Sequence, residues 1–195
     1  TGLVWAGDYA DAALARNGLA AYAQHPALRT VSLDRGFYRP LSASQFAAYA
    51  AQVPDDFRFV VKAPALITDA VVRGESGRGM QPNPAFLDPA LAVSEFVHPA
   101  LEGLGRHIGA LVFQLSPLPA PLLKDLPRLL DRLAALLDAL PSLQPAAPEG
   151  VVAVEVRNRE LLTPGFAAVL RAAGATYCLG LHPRLPPVQD QLPLL

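Results

Sequence analysis

Cysteine is almost missing from this chain. Cys178 stands alone, so no intrachain disulfide and no cysteine-based zinc site can form. Charge of one sign is missing as well. Lys plus Arg is 16 and Asp plus Glu is 17, for a net charge of −1. Proteins that live on phosphate backbone carry a basic excess, so a nucleic-acid partner is not expected. Apolar runs such as Ala110–Phe113 and Leu179–Leu181 fall far short of the ~20 residues of a membrane span, and no membrane partner is expected. No charged-then-apolar leader opens the sequence, which makes a soluble, reducing, cytoplasmic setting the expectation. No Gly-x-Gly-x-x-Gly follows a strand. Gly74-Glu75-Ser76-Gly77-Arg78-Gly79 sits in a loop without a Lys-Ser/Thr ending, so it is not a phosphate-binding P-loop, and no cofactor is expected. His25, His98, His107 and His182 form no His-x-x-x-His pair, and no metal site is expected.

What is present is apolar. Hydrophobic residues make up 52% of 195 residues, enough for a large core and too many for a disordered chain. The sequence opens at Thr1 rather than Met and stops in the apolar Gln191–Leu195, so a piece of a longer protein is expected. The sole Trp, Trp5, is expected on a barrel floor or on a free arm.

Along the chain, helical and extended patterns alternate. Helices are predicted over Ala12–Gln24, Ser42–Gln52 (opened by a Ser cap), Ala90–Leu104 with a break at Pro99, Leu122–Leu140 and Thr163–Ala173, the last closed by Gly174. Strands are predicted over Arg29–Phe37, Phe57–Lys62, Ala110–Leu115, Val151–Arg157 and Ala175–Leu181. Pro64–Pro89 reads as a long irregular stretch, and Arg73, Arg78 and its glycines suit a lid over an anionic ligand. Five strand–helix units imply an α/β fold with a parallel sheet, either doubly wound or a (β/α) barrel.

Strand parity then sorts the residues. Side chains alternate between the two faces of a strand. Ser32 with Asp34, Val60 with Lys62, Val112 with Gln114, and Ala153 with Glu155 and Arg157 each share a face. Thr176, Cys178, Gly180 and His182 do the same on the last strand. The opposite faces are apolar. Lys62, Gln114 and Glu155 each follow three or more apolar residues, so their polar groups are costly there unless paired. Functional groups at one end of every strand match an active site at a barrel top. A Lys62–Glu155 ion pair would satisfy both groups without chemistry.

The blocks Asp34-x-x-Phe37-Tyr38-Arg39-Pro40, Phe57-Arg58-Phe59-Val60-Val61-Lys62-Ala63-Pro64-x-x-Ile67-Thr68, Gly109-x-Leu111-Val112-Phe113-Gln114-Leu115 and Ala153-Val154-Glu155-Val156-Arg157 occur in that order. Together they resemble the YecE-like family (domain of unknown function, number seventy-two), a TIM-barrel-like group without an established activity. The resemblance implies a single domain over residues 1–195, a fragment of a (β/α)₈-type barrel that lacks its first strand and last units and keeps about five of eight. It also implies that Tyr38, Arg39, Lys62, Gln114, Glu155 and Arg157 gather at the barrel mouth. Ser32 and Asp34 stand where the family has Glu and Asn, Asp69 where it has His, and Asn158–Leu161 where it has His-Pro-x-Trp.

Arg39, Lys62, Arg157 and His182 against Asp34 and Glu155 give the expected mouth a cationic surplus, suited to a small anionic molecule bearing phosphate or carboxylate. Lys62 is a candidate base or Schiff-base former, Glu155 a general acid or base, and Gln114 a donor to a developing oxyanion. Cys178, mid-strand, is expected to be a small core residue. A non-catalytic ligand-binding or sensor barrel, and a purely structural ion network, remain open beside the enzyme.

Overall fold

A computed structural model describes residues 11–73 and 79–192. Trp5, and Gly74, Gly77 and Arg78 of the expected lid, lie outside the described residues. The elements run α1 (Asp11–Ala23), β1 (Thr30–Leu33), α2 (Arg35–Tyr38), α3 (Ala43–Ala50), β2 (Arg58–Lys62), α4 (Ala65–Thr68), β3 (Val71–Arg73) and β4 (Gly79–Pro82). They continue through α5 (Pro89–Ala92), α6 (His98–Leu104), β5 (Ile108–Gln114), α7 (Ala120–Leu123), α8 (Leu126–Asp138), β6 (Val151–Glu155), α9 (Pro164–Ala172), β7 (Thr176–Tyr177) and α10 (Val188–Gln191).

Five of the strands form one parallel sheet in the order β1-β2-β5-β6-β7. One face is apolar and covered: Leu33, Phe59, Val61, Leu111, Phe113 and Val154 are all buried. Helices cover that face as a layer, with α3 against α6, α5 against α8 and α8 against α9. This is the α/β arrangement of a partial TIM-like barrel. The leucines of α8 explain its seat. Leu129, Leu133, Leu136 and Leu137 recur at helical spacing and are buried, each worth about 1.5–3 kcal/mol of transfer free energy.

The helix starts follow their caps. Ser42 Oγ accepts from the Gln45 amide, while Gln45 Oε1 accepts from the Ser42 amide, which closes a capping box worth about 1 kcal/mol. Ser44 sits beside this cap, its hydroxyl 2.9 Å from that of Ser42. Asp125 caps α8 through the Arg128 amide, with Pro127 in the first turn, so the expected Leu122–Leu140 helix divides into α7 and α8. Pro99 does not break its helix. A π-helical turn over Val93–Val97 carries the axis past the residue that has no N–H to give.

Three expectations need correction. The extended run Arg29–Phe37 ends at Leu33, because Asp34 turns into the α-region and Phe37 N–H donates to Asp34 O, forming α2. The strand Ala175–Leu181 is only Thr176–Tyr177. Beyond it the backbone turns away to bond the buried side chain of Gln191, which donates to Gly180 O and Pro186 O and accepts from Gly180 N–H and the Tyr177 hydroxyl. Cys178 therefore follows the edge strand rather than sitting within it, although its N–H still donates to Val154 O at 2.9 Å. Finally, the described residues of Pro64–Pro89 are not all irregular. They hold α4 and the antiparallel β3–β4 hairpin, stapled at its base by Asn83 Nδ2, which donates to Leu66 O and Asp69 O at 2.8 Å each.

Candidate functional site at the strand ends

The register brings the strand ends side by side, with Gln114 and Glu155 two residues beyond the level of Lys62. Leu33 lies beside Val61, Lys62 beside Val112, and Gln114 beside Glu155. Asp34, Lys62, Gln114 and Glu155 therefore leave neighbouring strands on the face opposite the helices. Asp34 stands one residue past β1, at the start of α2, and makes no capping bond with its side chain. Instead Ser32 Oγ donates to Asp34 Oδ1 at 2.8 Å, and Lys62 Nζ lies 3.2 Å from the same oxygen.

The Ser32 hydroxyl, and after it the Lys62 ammonium, hold the Asp34 carboxyl below its ordinary value against an opposing effect of burial. A carboxyl lowered in the folded state stabilises the fold above its unfolded pKa of ~3.9, and that stabilisation is lost as pH falls through the folded value. Asp34→Asn is thus expected to lower the melting temperature at pH 6. The gap between variant and parent should narrow as the pH is taken well below 4, as read by thermal melts across that range.

Glu155 and Arg157 pair with each other. Arg157 Nη2 lies 2.5 Å from Glu155 Oε1, with the glutamate side chain only 13% exposed. The Lys62–Glu155 pair considered from the sequence does not form; each finds a partner elsewhere. Cys178 lies within reach of three of these charges. Burial pushes its thiol up, Glu155 adds to the rise, and Arg157 and Lys62 oppose it. A nucleophilic cysteine needs the opposite shift, toward thiolate.

Two cavities open on this rim. One, of about 150 Å³, is lined by Asp34, Phe37, Tyr38, Lys62 and Gln114. A second, of about 650 Å³, shares Phe37, Tyr38 and Gln114 with it and adds Asp69, Asn83 and Ser116 together with apolar side chains. Gln114 Oε1 is buried at this junction without a hydrogen-bond partner among the described residues. Ser116 lies two residues past Gln114, so the parity rule that singled out Gln114 extends to it. Asp69 and Asn83 carry no such signal, because they arrive through the α4 turn and the hairpin.

Two candidates lie elsewhere. Arg39 lines a separate cavity of about 380 Å³ with Arg35, Ser42, Gln45 and Glu95. Arg39 follows α2 in an extended conformation and lines this cavity with Arg35, whereas Phe37 and Tyr38 line the rim cavities. His182 is in the loop after β7, where its Nδ1 accepts from the Arg184 amide at 3.2 Å. Neither lines the rim cavities, and Glu155 and Arg157 do not line them either; among the described residues Lys62 is the one cation that does, beside Asp34 and Asp69, so the expected cationic surplus is not there. Lys62 and Arg157 are matched one to one by Asp34 and Glu155. Among the described residues no three His, Cys, Asp or Glu gather to hold a metal ion, and no helix is long and apolar enough to cross a membrane.

The family model "Protein of unknown function DUF72" matches residues 4–193. A solved DUF72 family protein from Enterococcus faecalis superposes at a TM-score of 0.52 with 19% identity, covering 83% of this chain and 53% of its own. A second structure of that protein gives the same score and identity, with coverages of 88% and 62%. A DUF72 family protein from Thermotoga maritima gives 0.49 with 22% identity and coverages of 81% and 52%. The chain thus spans about half to three fifths of the length of these solved relatives. No curated protein matches it.

Proposed function

The chain belongs to the DUF72 family of proteins of unknown function, and on that premise we propose that the ends of β1, β2, β5 and β6 form a binding site for a small anionic molecule bearing phosphate or carboxylate. The observation that carries this reading is the environment of Lys62. Its ammonium has three donors, and Asp34 is the one partner it takes among the described residues. Lys62 lines a cavity that Gln114 also lines. Donors converging on a concave space suit an oxyanion.

In the enzymatic form of this reading Lys62 receives the anion or acts as a base, and Glu155, oriented by Arg157, moves a proton. Gln114 and Tyr38 hold the ligand, with Asp34 fixing the Lys62 ammonium. A non-catalytic binding barrel with a structural ion network is favoured instead by the one-to-one pairing of the four charges. The reading also takes residues 1–195 as part of a larger (β/α)₈-type barrel, in keeping with the partial coverage of the solved relatives. It further takes a reducing, cytoplasmic setting, which the single cysteine supports, and a small-molecule rather than nucleic-acid partner, which the near-neutral charge supports.

Lys62→Ala and Glu155→Gln separate the alternatives when metabolites retained from cell extract are identified by mass. Loss of an anionic metabolite from Lys62→Ala, with folding intact, supports the site. If Glu155→Gln then keeps the metabolite but turns none over, the role is catalytic. Loss of folding alone in both variants supports the structural network.

A further inference from the structure

We propose that the rim ligand is amphipathic: an oxyanion carried on a flat apolar body, the anion meeting Lys62 and the body lying against Tyr38 in the larger cavity. This rests on the anion-site reading above and adds the nature of the rest of the molecule. Two contiguous spaces of different character carry it. The smaller, about 150 Å³, holds the ion pair of Lys62 and Asp34 and has room for a headgroup. The larger, about 650 Å³, is some four times that size.

The walls of the larger space carry several of the exposed apolar side chains among the described residues. Tyr38 is 85% exposed, Leu66 44% and Val72 40%. Those three are half of the six large apolar residues most exposed among the described residues, and all three line this one cavity. Exposed apolar surface concentrated on a concave wall is what an apolar ligand body covers. The Tyr38 and Phe37 rings form a T-shaped pair, with centroids 5.4 Å apart and planes at 85°, and the 85% exposure of Tyr38 leaves its ring open to stacking. Gln114 lines both spaces, which therefore meet at its side chain.

Calorimetric titration of the full chain with two matched pairs of probes tests this: phenyl phosphate against inorganic phosphate, and benzoate against acetate. In at least one pair the aromatic member is expected to bind tenfold or more tightly. Leu66→Ala, at a half-exposed position that lines the larger cavity and not the smaller, should reduce that preference and leave the affinity for the small anion unchanged, whereas Tyr38→Ala, which lines both, should erase the preference and weaken the small anion as well. Lys62→Ala should weaken both members. Equal affinity within both pairs, still dependent on Lys62, overturns the apolar body and leaves the anion site standing. No binding of any probe, or binding of aromatic probes indifferent to Lys62, overturns the anion-site reading and this inference with it.

Discussion

Gln191→Leu is expected to cost about 3 kcal/mol of folding stability, because buried donors and acceptors left without partners cost about 1–3 kcal/mol each. Gln191 is 0% exposed. Its Oε1 accepts from the Tyr177 hydroxyl at 2.7 Å and from the Gly180 amide at 3.2 Å. Its Nε2 donates to Gly180 O at 3.0 Å and to Pro186 O at 2.6 Å. One side chain thus does for the backbone after β7 what a neighbouring strand would do. Leucine fills the volume and answers none of the four groups. The loss should be read as a lower denaturant midpoint, and the segment from Cys178 to Leu185 should become open to protease first. A change under about 0.5 kcal/mol, the range of ordinary surface substitutions, would mean that these groups find other partners.

The second large effect is expected at Gly103, in α6 where it crosses α3. A Cβ on Gly103 would lie 2.3 Å from Ala43 O, 2.5 Å from Phe46 Cβ and 2.9 Å from the Ala47 nitrogen. Two of these are backbone atoms of a capped helix, so no side chain can swing aside to make room. Alanine is the better helix former by about 1 kcal/mol, but the overlap outweighs it. Overpacking costs about 1–3 kcal/mol and more where backbone must move, so Gly103→Ala is placed at about 3 kcal/mol. Since α3 and α6 belong to the layer over the sheet, the variant should also loosen the packing of Phe46, visible as faster amide exchange across α3. A variant as stable as the parent would show that the two helices part without cost.

The site was legible where local chemistry decides it. The runs ending at Lys62, Gln114 and Glu155 have one apolar face and one face ending in a polar group, and period-2 alternation cannot hide that. Ser42 with Gln45 three residues on announces a helix start. What escaped depends on partners distant in sequence. Asp34 looks like the end of a strand until it turns into α2, and Arg39 lines a cavity apart from those that Tyr38 lines. Counting charges along the chain therefore gave the rim a surplus that the three-dimensional pairing removes. The shortness of β7 depends on Gln191, beyond the reach of any local pattern. The larger cavity depends on α4 and the hairpin, which proline and glycine content made look structureless.

The most direct test of the rim as one ligand site follows the Gln114 side-chain amide by nitrogen-15 NMR while phenyl phosphate is added. A saturable shift of both amide proton signals is expected in the parent chain and almost none in Lys62→Ala. Signals that stay fixed at saturating probe, or that move equally without Lys62, would contradict it.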